Sequence, residues 1–589
     1  MLQPRFRWSF PDPVVIDPGM RAAARSRSLT ERMTEVLVSR GVGTPADLSA
    51  WFAEPPDGLH DPRLLPDADV ALARFRLARE RGERVLVFGD FDADGLDGLA
   101  ILTLALRRFG LAVEPYVPDR ADEGHGLSIA AIEAAERGSI KLIVTVDCGT
   151  SSGPEIAEAG RRGIDVIVTD HHRVPPELPP ALAVVNPHRA DSTYPDRRLA
   201  GSGVAFKIAA LILADEPGGP AFALGLADLA TIGTVADVAP IVGENRAIAR
   251  LGLAALRRPR PGIAALLERA RVAPDAVDLD TISFTIAPRL NAAGRVGEAL
   301  EAAHLLLADD AETAASHAAA LETANQLRRD LMTTSVAEAR DLVSASDDRP
   351  ATMVHGPWSV GIIGLIAARL ADEHGRPAVV GADLGDTIRG SCRSDGSLDL
   401  GGALEACRDL LTRHGGHAGA AGFELPTDSW PAFVERFESL AAAVAPTDPR
   451  PQLGIDLALR AIDVDYDLYR ELAALAPYGP GNPEPLVAVL GLTVTRARIA
   501  GSDHTSLTLR RDRDVLDGIA FGRADIAALI SEGDRIDVVA RVASRKFGGF
   551  ESLQLEIRDA APSGSHPGAA AILGAADGVA PGSRVGVPV

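Results

Sequence analysis

Short apolar runs that end in acidic or imidazole side chains recur through the first half of the chain. The run VLVFGDFDADG starts at Val85, and the run VIVTDHH starts at Val166. Roughly four to eight apolar, β-branched residues before a turn signal are typical of a buried strand in a parallel sheet. KLIVTVDCG and TIGTVADVAP repeat the pattern and place Asp147 and Asp237 behind apolar runs. The pattern predicts strand ends that carry polar chemistry.

In open α/β sheets, ligands bind beyond the carboxyl ends of the strands. The sequence therefore predicts that the polar side chains at these run ends lie close together. They are Asp90, Asp92, Asp94, Asp147, Asp170, His171, His172 and Asp237. Carboxylates combined with imidazole suit hard or borderline divalent cations, and paired cations of this kind hydrolyse phosphodiesters. We expect a two-metal phosphodiester hydrolase.

The first motif also spells D-x-D-x-D-G, the opening of an EF-hand calcium loop. That loop needs a glutamate at its twelfth position and a helix in front of it. Here the twelfth position is Ile101 and a strand-like run precedes the motif, so the calcium loop is excluded. A single aspartate behind a strand is about as often a helix cap or a turn former. Several run ends that all carry Asp or His favour a shared site instead.

His171 and His172 are adjacent, and adjacent side chains of an extended segment point to opposite sides. Both reach one small site only if the strand ends before them. We expect His171 to be a metal ligand and His172 to support the site or to contact phosphate. The alternative for His172 is a structural histidine with a satisfied hydrogen bond.

The hydrophobic pattern divides the chain into successive segments. After an N-terminal extension, strands alternate with helices, which is typical of a doubly wound parallel sheet. A stretch without Gly or Pro then predicts one long connecting helix. A smaller α/β lobe, an OB-type β-barrel of short alternating strands and a flexible tail follow. The boundaries are 1–70, 71–298, 299–343, 344–444, 452–562 and 563–589.

Composition narrows the class of protein further. A net charge of −21 over 589 residues argues against a basic protein that coats nucleic acid, although an acidic metal cleft is compatible with a nuclease. The three cysteines have no CxxC spacing, so neither a disulfide framework nor a structural zinc site is predicted. The N-terminus does not resemble a signal peptide, and no run approaches ~18 uncharged apolar residues. We expect a cytoplasmic protein.

The motifs GDFDADG, VDCG, TDHH and TVADVAP, in that order, resemble those of the DHH phosphoesterase superfamily. HGGHAGAAGF, which starts at His414, resembles the glycine-rich signature of the accompanying DHHA1 domain. LAGSGVAFK, APRLNAAGR and PYGPGNPEP complete a set similar to the superfamily's bacterial single-strand-specific 5′→3′ DNA exonucleases. The resemblance runs from about residue 70 to 560. It implies an α/β fold with a DHH lobe, a connecting helix, a DHHA1 lobe and an OB barrel.

The resemblance implies two ions of Mn²⁺ or Mg²⁺. It places the metal ligands on Asp92, Asp94, Asp147, His171 and Asp237, with Asp90 and His172 close by. The chain departs from the family pattern at Asp97 and His125. We expect Asp97 to cap the following helix rather than to perturb the site.

Further residues are candidates for binding the substrate. We expect Arg295 and His417, beside His172, to hold the scissile phosphate, unless the glycines around His417 only form a packing turn. Arg120, Ser391 and Arg393 match residues that bind a 5′-phosphate in such proteins; the alternative is surface arginines paired with nearby acids. On the barrel, we expect contacts to single-stranded DNA from Arg496, Arg498, Arg541, Arg545, Lys546, Phe547 and Phe550.

Two other functions use the same catalytic lobe or fold. One is a phosphodiesterase acting on short oligoribonucleotides or cyclic dinucleotides, which needs neither the barrel nor a long connecting helix. The other is a non-catalytic single-strand-binding scaffold that resembles Cdc45, which would be expected to lack metal ligands. The family resemblance also implies a role in DNA repair and recombination. It further implies as partners a single-strand-binding protein and a RecQ-type helicase.

Overall fold

The computed structural model describes residues 2–120, 123–343, 349–445, 448, 450–547 and 550–566. The chain divides into two compact units. One combines the segment up to Ala53 with Arg450–Tyr478 and the stretch that begins at Asn482, and the other comprises Glu54–Pro449 with Gly479–Gly481. The predicted N-terminal extension of 1–70 is therefore split, because residues 54–70 fold with the second unit.

The N-terminal segment forms one short strand and three helices. Helices two and three begin at threonine caps, Thr30 and Thr44, whose hydroxyls accept backbone N–H groups. Their apolar faces bury Met33, Leu37 and Leu48 in the same core as the C-terminal barrel. The elements are β1 (Arg7–Ser9), α1 (Pro18–Ser26), α2 (Glu31–Ser39) and α3 (Pro45–Trp51).

The first half of the second unit is a doubly wound α/β lobe. Its five strands pair in parallel in the order β3-β2-β4-β5-β6, as the alternation of strands and helices predicts. The central strands are buried along nearly their whole length, because helices cover both faces. The elements are α4 (Ala68–Arg81), β2 (Arg84–Gly89), α5 (Ala93–Arg108), β3 (Ala112–Tyr116), α6 (Ile129–Arg137), β4 (Leu142–Val146), α7 (Gly153–Arg161), β5 (Asp165–Thr169) and β6 (Ala183–Val185).

A set of helices then completes this lobe. The stretch Gly219–Ala236 is long and apolar enough to cross a membrane, yet 67% of it is buried inside the protein, as in a core helix pair. A π-helical turn at Ile282–Ile286 precedes the helix that carries Arg295. The helices are α8 (Gly201–Leu213), α9 (Gly219–Leu224), α10 (Ala227–Ala236), α11 (Gly243–Ala255), α12 (Pro261–Ala270), α13 (Leu279–Thr281) and α14 (Ala287–Val296).

The predicted single helix over 299–343 is wrong in one respect. The structure has two helices, α15 (Ala299–Leu307) and α16 (Ala311–Leu342), because Asp310 caps a new helix start. Its side chain accepts the N–H of Thr313, which is the behaviour of an N-cap aspartate. The sequence shows no sign of this break, because the stretch contains neither Gly nor Pro. Helix α16 is still long enough to connect the two lobes.

The second lobe of this unit is a mixed sheet with helices against it. The strand order is β10-β11-β9-β8-β7, and only the β7–β8 pair is parallel. The elements are β7 (Thr352–Gly356), α17 (Ile363–His374), β8 (Ala378–Asp383), β9 (Thr387–Arg393), α18 (Leu400–Ala406), β10 (Arg413–Gly416), β11 (Ala420–Pro426) and α19 (Trp430–Val444).

The C-terminal strands close into the predicted barrel. Strands β14, β15, β16, β18 and β17 pair in sequence, and β17 pairs back onto β14. Strand β12 pairs with β1, which joins the N-terminal segment to the start of the C-terminal part of the same unit. The elements are β12 (Gln452–Gly454), β13 (Leu457–Leu459), α20 (Tyr466–Ala473), β14 (Val487–Ala500), β15 (His504–Arg511), β16 (Asp514–Ala520), α21 (Ala524–Leu529), β17 (Arg535–Phe547) and β18 (Phe550–Pro562).

Candidate metal centre and cleft

Three of the predicted strand ends deliver their polar side chains to one edge of the parallel sheet. Asp90 follows β2, Asp147 follows β4, and Asp170 follows β5. Asp147 has a left-handed backbone, with φ of 62°, and residues in such conformations are concentrated at functional sites. The prediction that Asp237 follows a strand is wrong, because Asp237 caps the C-terminus of helix α10. The apolar run before it is buried on all sides, and such a run has the same pattern in a helix as in a strand.

The loop after β2 is held by its own aspartates. Asp92 is the N-cap of α5 and accepts the N–H groups of Asp94 and Gly95. Asn291 of α14 accepts the N–H of Ala93 at 2.8 Å, which ties the loop to the APRLNAAGR segment. Asn291 was not singled out from the sequence, although it lies within a recognised motif.

Asp94 is anchored by the start of helix α8. Its two oxygens accept the N–H groups of Gly201 and Ser202 at 2.6 and 3.0 Å, which accounts for the LAGSG sequence there. A Cβ on Gly201 would lie 2.5 Å from the Asp147 side chain, and one on Gly233 would lie 2.5 Å from Asp94 Oδ1. Both positions therefore need glycine because the metal-site carboxylates pack directly against the backbone.

Asp170 organises the two histidines, a role that the sequence does not indicate. Its carboxylate accepts the N–H groups of His171, His172 and Thr150, and it bonds His172 Nδ1 at 2.8 Å. This hydrogen bond raises the pKa of His172 to about 9, so His172 is a cation at neutral pH. Asp170 itself keeps a low pKa, since the hydrogen bonds from His172 and Thr150 outweigh the effect of burial.

His171 lies at the centre of the acidic cluster. Its Nε2 atom is 3.0 Å from Asp147 Oδ1 and 3.8 Å from Asp94 Oδ2, and its Nδ1 atom is 3.9 Å from Asp237 Oδ2. The atoms of the closest pair are not aligned for a hydrogen bond, so His171 Nε2 and Asp147 Oδ1 are both buried without a hydrogen-bond partner among the residues that the structure describes. Burial lowers the pKa of His171, which keeps its lone pair available.

The carboxylates of the cluster repel one another in a site that is mostly buried, with Asp237 at its exposed rim. Burial and the neighbouring Asp90 and Asp94 raise the pKa of Asp92 to about 6, and burial with Asp94 raises that of Asp237 to about 8. The pKa of Asp147 is raised well above its ordinary value, first by burial and then by Asp94. Crowded carboxylates of this kind call for a cation.

The donor set fits the metal that the sequence resemblance implies. Three groups of residues have ligand atoms within 4.8 Å of one another: Asp90, Asp92 and Asp147; Asp94, His171 and Asp237; Asp147, His171 and His172. His172 is protonated and offers no lone pair, but Asp147 of the first group also lies 3.0 Å from His171 of the second, and oxygen donors predominate. An oxygen-rich set with imidazole suits Mn²⁺ or Mg²⁺, and a shared carboxylate is what a two-ion site needs.

A cleft of about 1150 Å³ opens beside this cluster, between the two lobes of the second unit, which is called the catalytic unit from here on. His125 lines the cleft, and its Nδ1 atom is 3.1 Å from Asp90 Oδ2, so the cleft reaches the metal centre. His125 also packs on Phe91, with ring centroids 4.5 Å apart. The family departure at position 125 therefore lies in the cleft wall.

The four predicted phosphate-binding residues at the junction of the lobes line this same cleft. They are Arg120, Arg295, Ser391 and Arg393. The extended backbone of β9 puts Ser391 and Arg393 on one face, and Arg393 donates to Ser391 Oγ at 3.0 Å. Burial and the charge of Arg120 lower the pKa of Arg295 to about 10. The three guanidinium groups repel one another, and no carboxylate is ion-paired to any of them among the described residues, so they concentrate positive charge in the cleft.

Two predicted roles have no such placement. His417 is exposed in the connection between β10 and β11, and it is not among the described residues that line the cleft. Its Nδ1 atom accepts the N–H of Gly419, as in a packing turn. The expectation that Asp97 caps helix α5 is wrong, because that helix already starts at Ala93. It is fully buried in the second turn, and both its oxygens lack a hydrogen-bond partner among the described residues.

On the barrel, the arginines predicted to bind DNA fall into two groups. Arg496 and Arg498 are exposed beyond one end of the β14–β17 pairing, whereas Arg541 and Arg545 lie beyond its other end. The strand register therefore does not gather them into one groove.

Arg541 is also occupied by other partners. It forms ion pairs with Glu556 and with Glu484, the latter at 2.9 Å, and the hydrogen bond to Glu556 raises its pKa. The side chains of Lys546, Phe547 and Phe550 lie outside the described residues. Arg496 and Arg498 are thus the more accessible pair for a phosphate backbone.

Comparisons with known proteins agree with this architecture. Three family models match: the DHH family N-terminal domain over residues 84–234, the DHHA1 domain over 350–443 and the RecJ OB domain over 455–559. The single-stranded-DNA-specific exonuclease RecJ of Bacillus subtilis is 33% identical over 96% of this chain and 72% of its own length. The protein of the same name from Thermus thermophilus is 36% identical over 89% of this chain and 76% of its own.

A solved structure extends the likeness to three dimensions. The crystal structure of Thermus thermophilus RecJ in complex with Mn²⁺ has a TM-score of 0.80 and 31% identity, and the match covers 95% of this chain and 80% of that one. The same enzyme has also been solved with Mg²⁺. With this identity and coverage, the chain belongs to the RecJ family of DHH phosphoesterases.

Proposed function

We propose that this protein is a metal-dependent exonuclease that degrades single-stranded DNA from its 5′ end and releases 5′-mononucleotides. The observation that supports this most is the continuity of two sites. A largely buried carboxylate–histidine cluster opens, past His125, into a cleft that is lined by arginines of both lobes. The relatives named single-stranded-DNA-specific exonuclease supply the substrate class. Mn²⁺ or Mg²⁺ would be held by Asp90, Asp92, Asp94, Asp147, His171 and Asp237.

When bound, the two ions lower the pKa of the attacking water and stabilise the charge of an in-line displacement at phosphorus. The remaining work falls to residues of the chain. Asp170 fixes the ring of His172 through Nδ1, which leaves Nε2 to donate a hydrogen bond to a phosphate oxygen. Arg295, fixed by its bond to the carbonyl of Gly361 at 3.0 Å, neutralises the charge that develops on that phosphate.

Attack from a 5′ end requires that the enzyme recognise that end. A terminal phosphate carries more negative charge than an internal one, so a site rich in guanidinium groups favours it. Arg120 comes from the first lobe, and Ser391 and Arg393 come from the second. We infer that these three residues bind the 5′-phosphate and so set the distance between the 5′ end of the DNA and the metal centre.

The alternative functions fit the observations less well. A non-catalytic scaffold has no use for six metal-site residues that converge, two of which have a buried donor atom without a hydrogen-bond partner among the described residues. A phosphodiesterase of dinucleotides has no use for a closed barrel with exposed arginines on its strands. We also propose, as the family resemblance implies, that the enzyme acts in DNA repair and recombination in the cytoplasm, with a single-strand-binding protein and a RecQ-type helicase as partners.

The test is a nuclease assay on matched substrates with the full-length protein. A 5′-labelled single strand should release labelled mononucleotide in Mn²⁺, whereas the corresponding duplex should be resistant and a chelator should stop the reaction. An RNA strand of the same sequence measures the sugar preference. Equal cleavage of single strand and duplex, or cleavage that survives the chelator, would overturn the proposal.

A further inference from the structure

A second cluster of metal-ligating side chains lies on the helical hairpin formed by α15 and α16. Glu301 and His304 are three residues apart on α15, and His317 lies on α16. One ligand atom from each lies within 4.8 Å of the other two. His317 Nδ1 is 2.7 Å from Glu301 Oε2, and the two imidazole rings have centroids 5.4 Å apart. None of these residues belongs to the catalytic cluster.

The sequence builds this cluster through simple helix geometry. Residues three apart on a helix lie on the same face, and the short connection of residues 308–310 forces the two helices to run antiparallel and in contact. Glu301 and His317 therefore meet across the hairpin, with His304 one turn further along. Side-chain exposure of 37% for Glu301 and 22% for His317 leaves room for an ion to enter from solvent.

The charges around the cluster leave its carboxylate available. Among the described residues, His317 is the single ion-pair partner of Glu301, and no Lys or Arg competes for that carboxylate. Arg269 lies nearby but donates to the backbone carbonyl of Ala315. A metal ion that displaced the imidazole proton would gain three donors without breaking a bond to a guanidinium group.

Two imidazoles and one carboxylate form a three-ligand set that Zn²⁺ takes with a water as its fourth ligand. The nitrogen majority selects Zn²⁺ over Mn²⁺ or Mg²⁺, which prefer oxygen. We propose that Glu301, His304 and His317 bind one Zn²⁺ ion, separate from the catalytic centre, and that this ion fastens α15 to the root of α16.

Such a fastening would act on the helix that links the two lobes. The first half of α16 packs into the core of the first lobe through Ala314, Ala318 and Leu321, and its second half packs into the core of the second lobe through Val336 and Ala339. Helix α15 follows directly after α14, which carries the cleft residue Arg295. An ion at the hairpin would thus reduce local opening at the base of the connecting helix.

In the test, the full-length protein is first freed of metal, then equilibrated with Zn²⁺ and passed through gel filtration. The amount of zinc that stays bound per chain is then measured. Zn²⁺ also suits the catalytic cluster, so every measurement of bound metal is made in the background of His171→Ala with Asp147→Asn. Addition of His304→Ala and His317→Ala should remove one Zn²⁺ per chain. His374→Ala, at the exposed end of α17, should remove none. An unchanged zinc content in the His304 and His317 variant would overturn the proposal.

Two further readouts separate coordination from adventitious binding. Co²⁺ in place of Zn²⁺ should give the visible absorption of a four-coordinate site in the catalytic-site background, and that absorption should disappear with His304→Ala and His317→Ala. Zn²⁺ should slow amide exchange over residues 299–320 in this background but not in the histidine variant. Zinc-dependent protection that is equal in both proteins would contradict the assignment. As a control for folding, His304→Ala with His317→Ala in the otherwise wild-type chain should keep its Mn²⁺-dependent nuclease activity.

Discussion

His171 Nε2 and Asp147 Oδ1 lie 3.0 Å apart at the ends of two neighbouring strands, and neither atom has a hydrogen-bond partner within the described part of the chain. A buried imidazole nitrogen and a buried carboxylate oxygen left in this state lose several favourable interactions with water. The pair is explained if both atoms face a common cation. This contact is the structural basis for the first two predictions.

Replacing Asp147 or Asp237 with alanine should abolish nuclease turnover while the protein still folds. Loss of a metal ligand should lower the rate by ~10³-fold or more, the scale of a major electrostatic contribution to catalysis. Single-turnover hydrolysis in Mn²⁺ measures the effect. Asp372→Asn, an exposed carboxylate on α17, serves as the control and should be as active as wild type. Normal cleavage by either alanine variant would refute the metal assignment.

Mn²⁺ should stabilise the folded protein, and Asp237→Asn should remove much of that effect. An ion present at 100 times its Kd adds about 2.7 kcal/mol to stability. Without metal the same variant should melt higher than wild type, by roughly 2 °C, because it removes one of several carboxylates that repel each other. Thermal melts with and without Mn²⁺ measure both changes. A lower melting temperature of the metal-free variant would mean that Asp237 stabilises the fold by other contacts.

Gly201→Ala should damage the metal site although it adds only a methyl group. That methyl would lie 2.5 Å from the Asp147 side chain, so the carboxylate must move, and we expect weaker Mn²⁺ binding and a loss of activity of at least ~10²-fold. Gly203→Ala on the same helix is the matched control, since its methyl would meet Leu199 at 3.4 Å. If the two variants have equal activity, the close packing of Gly201 is not a requirement of the site.

Arg120→Ala and Arg393→Ala should abolish the preference for a 5′-phosphate. Wild type should cleave a 5′-phosphorylated single strand faster than its 5′-hydroxyl counterpart, because the terminal charge binds the guanidinium groups of the cleft. The variants should cleave both substrates at similar, lower rates. Competition between the two substrates in one reaction measures the ratio directly. Variants that discriminate as well as wild type would place 5′-end recognition elsewhere.

Arg496→Ala with Arg498→Ala should reduce the salt dependence of single-strand binding. Each phosphate that the protein no longer neutralises should lower the slope of log K against log salt by ~0.7. Arg541→Ala should instead lower the thermal stability of the barrel, because it leaves Glu484 and Glu556 without their shared cation. Binding titrations at several salt concentrations, together with melts, distinguish the two cases. An unchanged slope in the double variant would exclude these arginines as phosphate-binding groups.

Strand ends and motif order predicted the parallel sheet and the three loops that supply Asp90, Asp147 and His171. They did so because a buried parallel strand needs a continuous apolar run and must end at a polar turn. Asp237 lies beside Asp94 and His171 but follows a helix and not the predicted strand, since a run buried on all sides looks alike in helix and strand. The sequence could not reveal the pairing of Asp170 with His172 either, because it depends on the side-chain orientation after β5.

Other features depended on interactions between distant segments. Asn291 supports the loop at Ala93 across 198 positions of sequence, and no local pattern indicates such a bond. The break before Asp310 was missed because a capping aspartate was interpreted as one more polar position on a continuous helix. The expected capping role of Asp97 was wrong. Local helix propensity cannot predict that a carboxyl group is buried without a hydrogen-bond partner among the described residues.

The first residues of the chain are fixed by the last strand of the barrel. The buried carboxylate of Asp559 accepts the N–H groups of Arg5 and Phe6 and the indole N–H of Trp8, and β1 pairs with β12. During synthesis, the N-terminal segment must therefore wait until the whole catalytic unit and nearly all of the barrel have left the ribosome. The catalytic unit is continuous except for three residues and can fold in the meantime. The segment that holds Arg5, Phe6 and Trp8 is thus among the last parts of its unit to reach its partners.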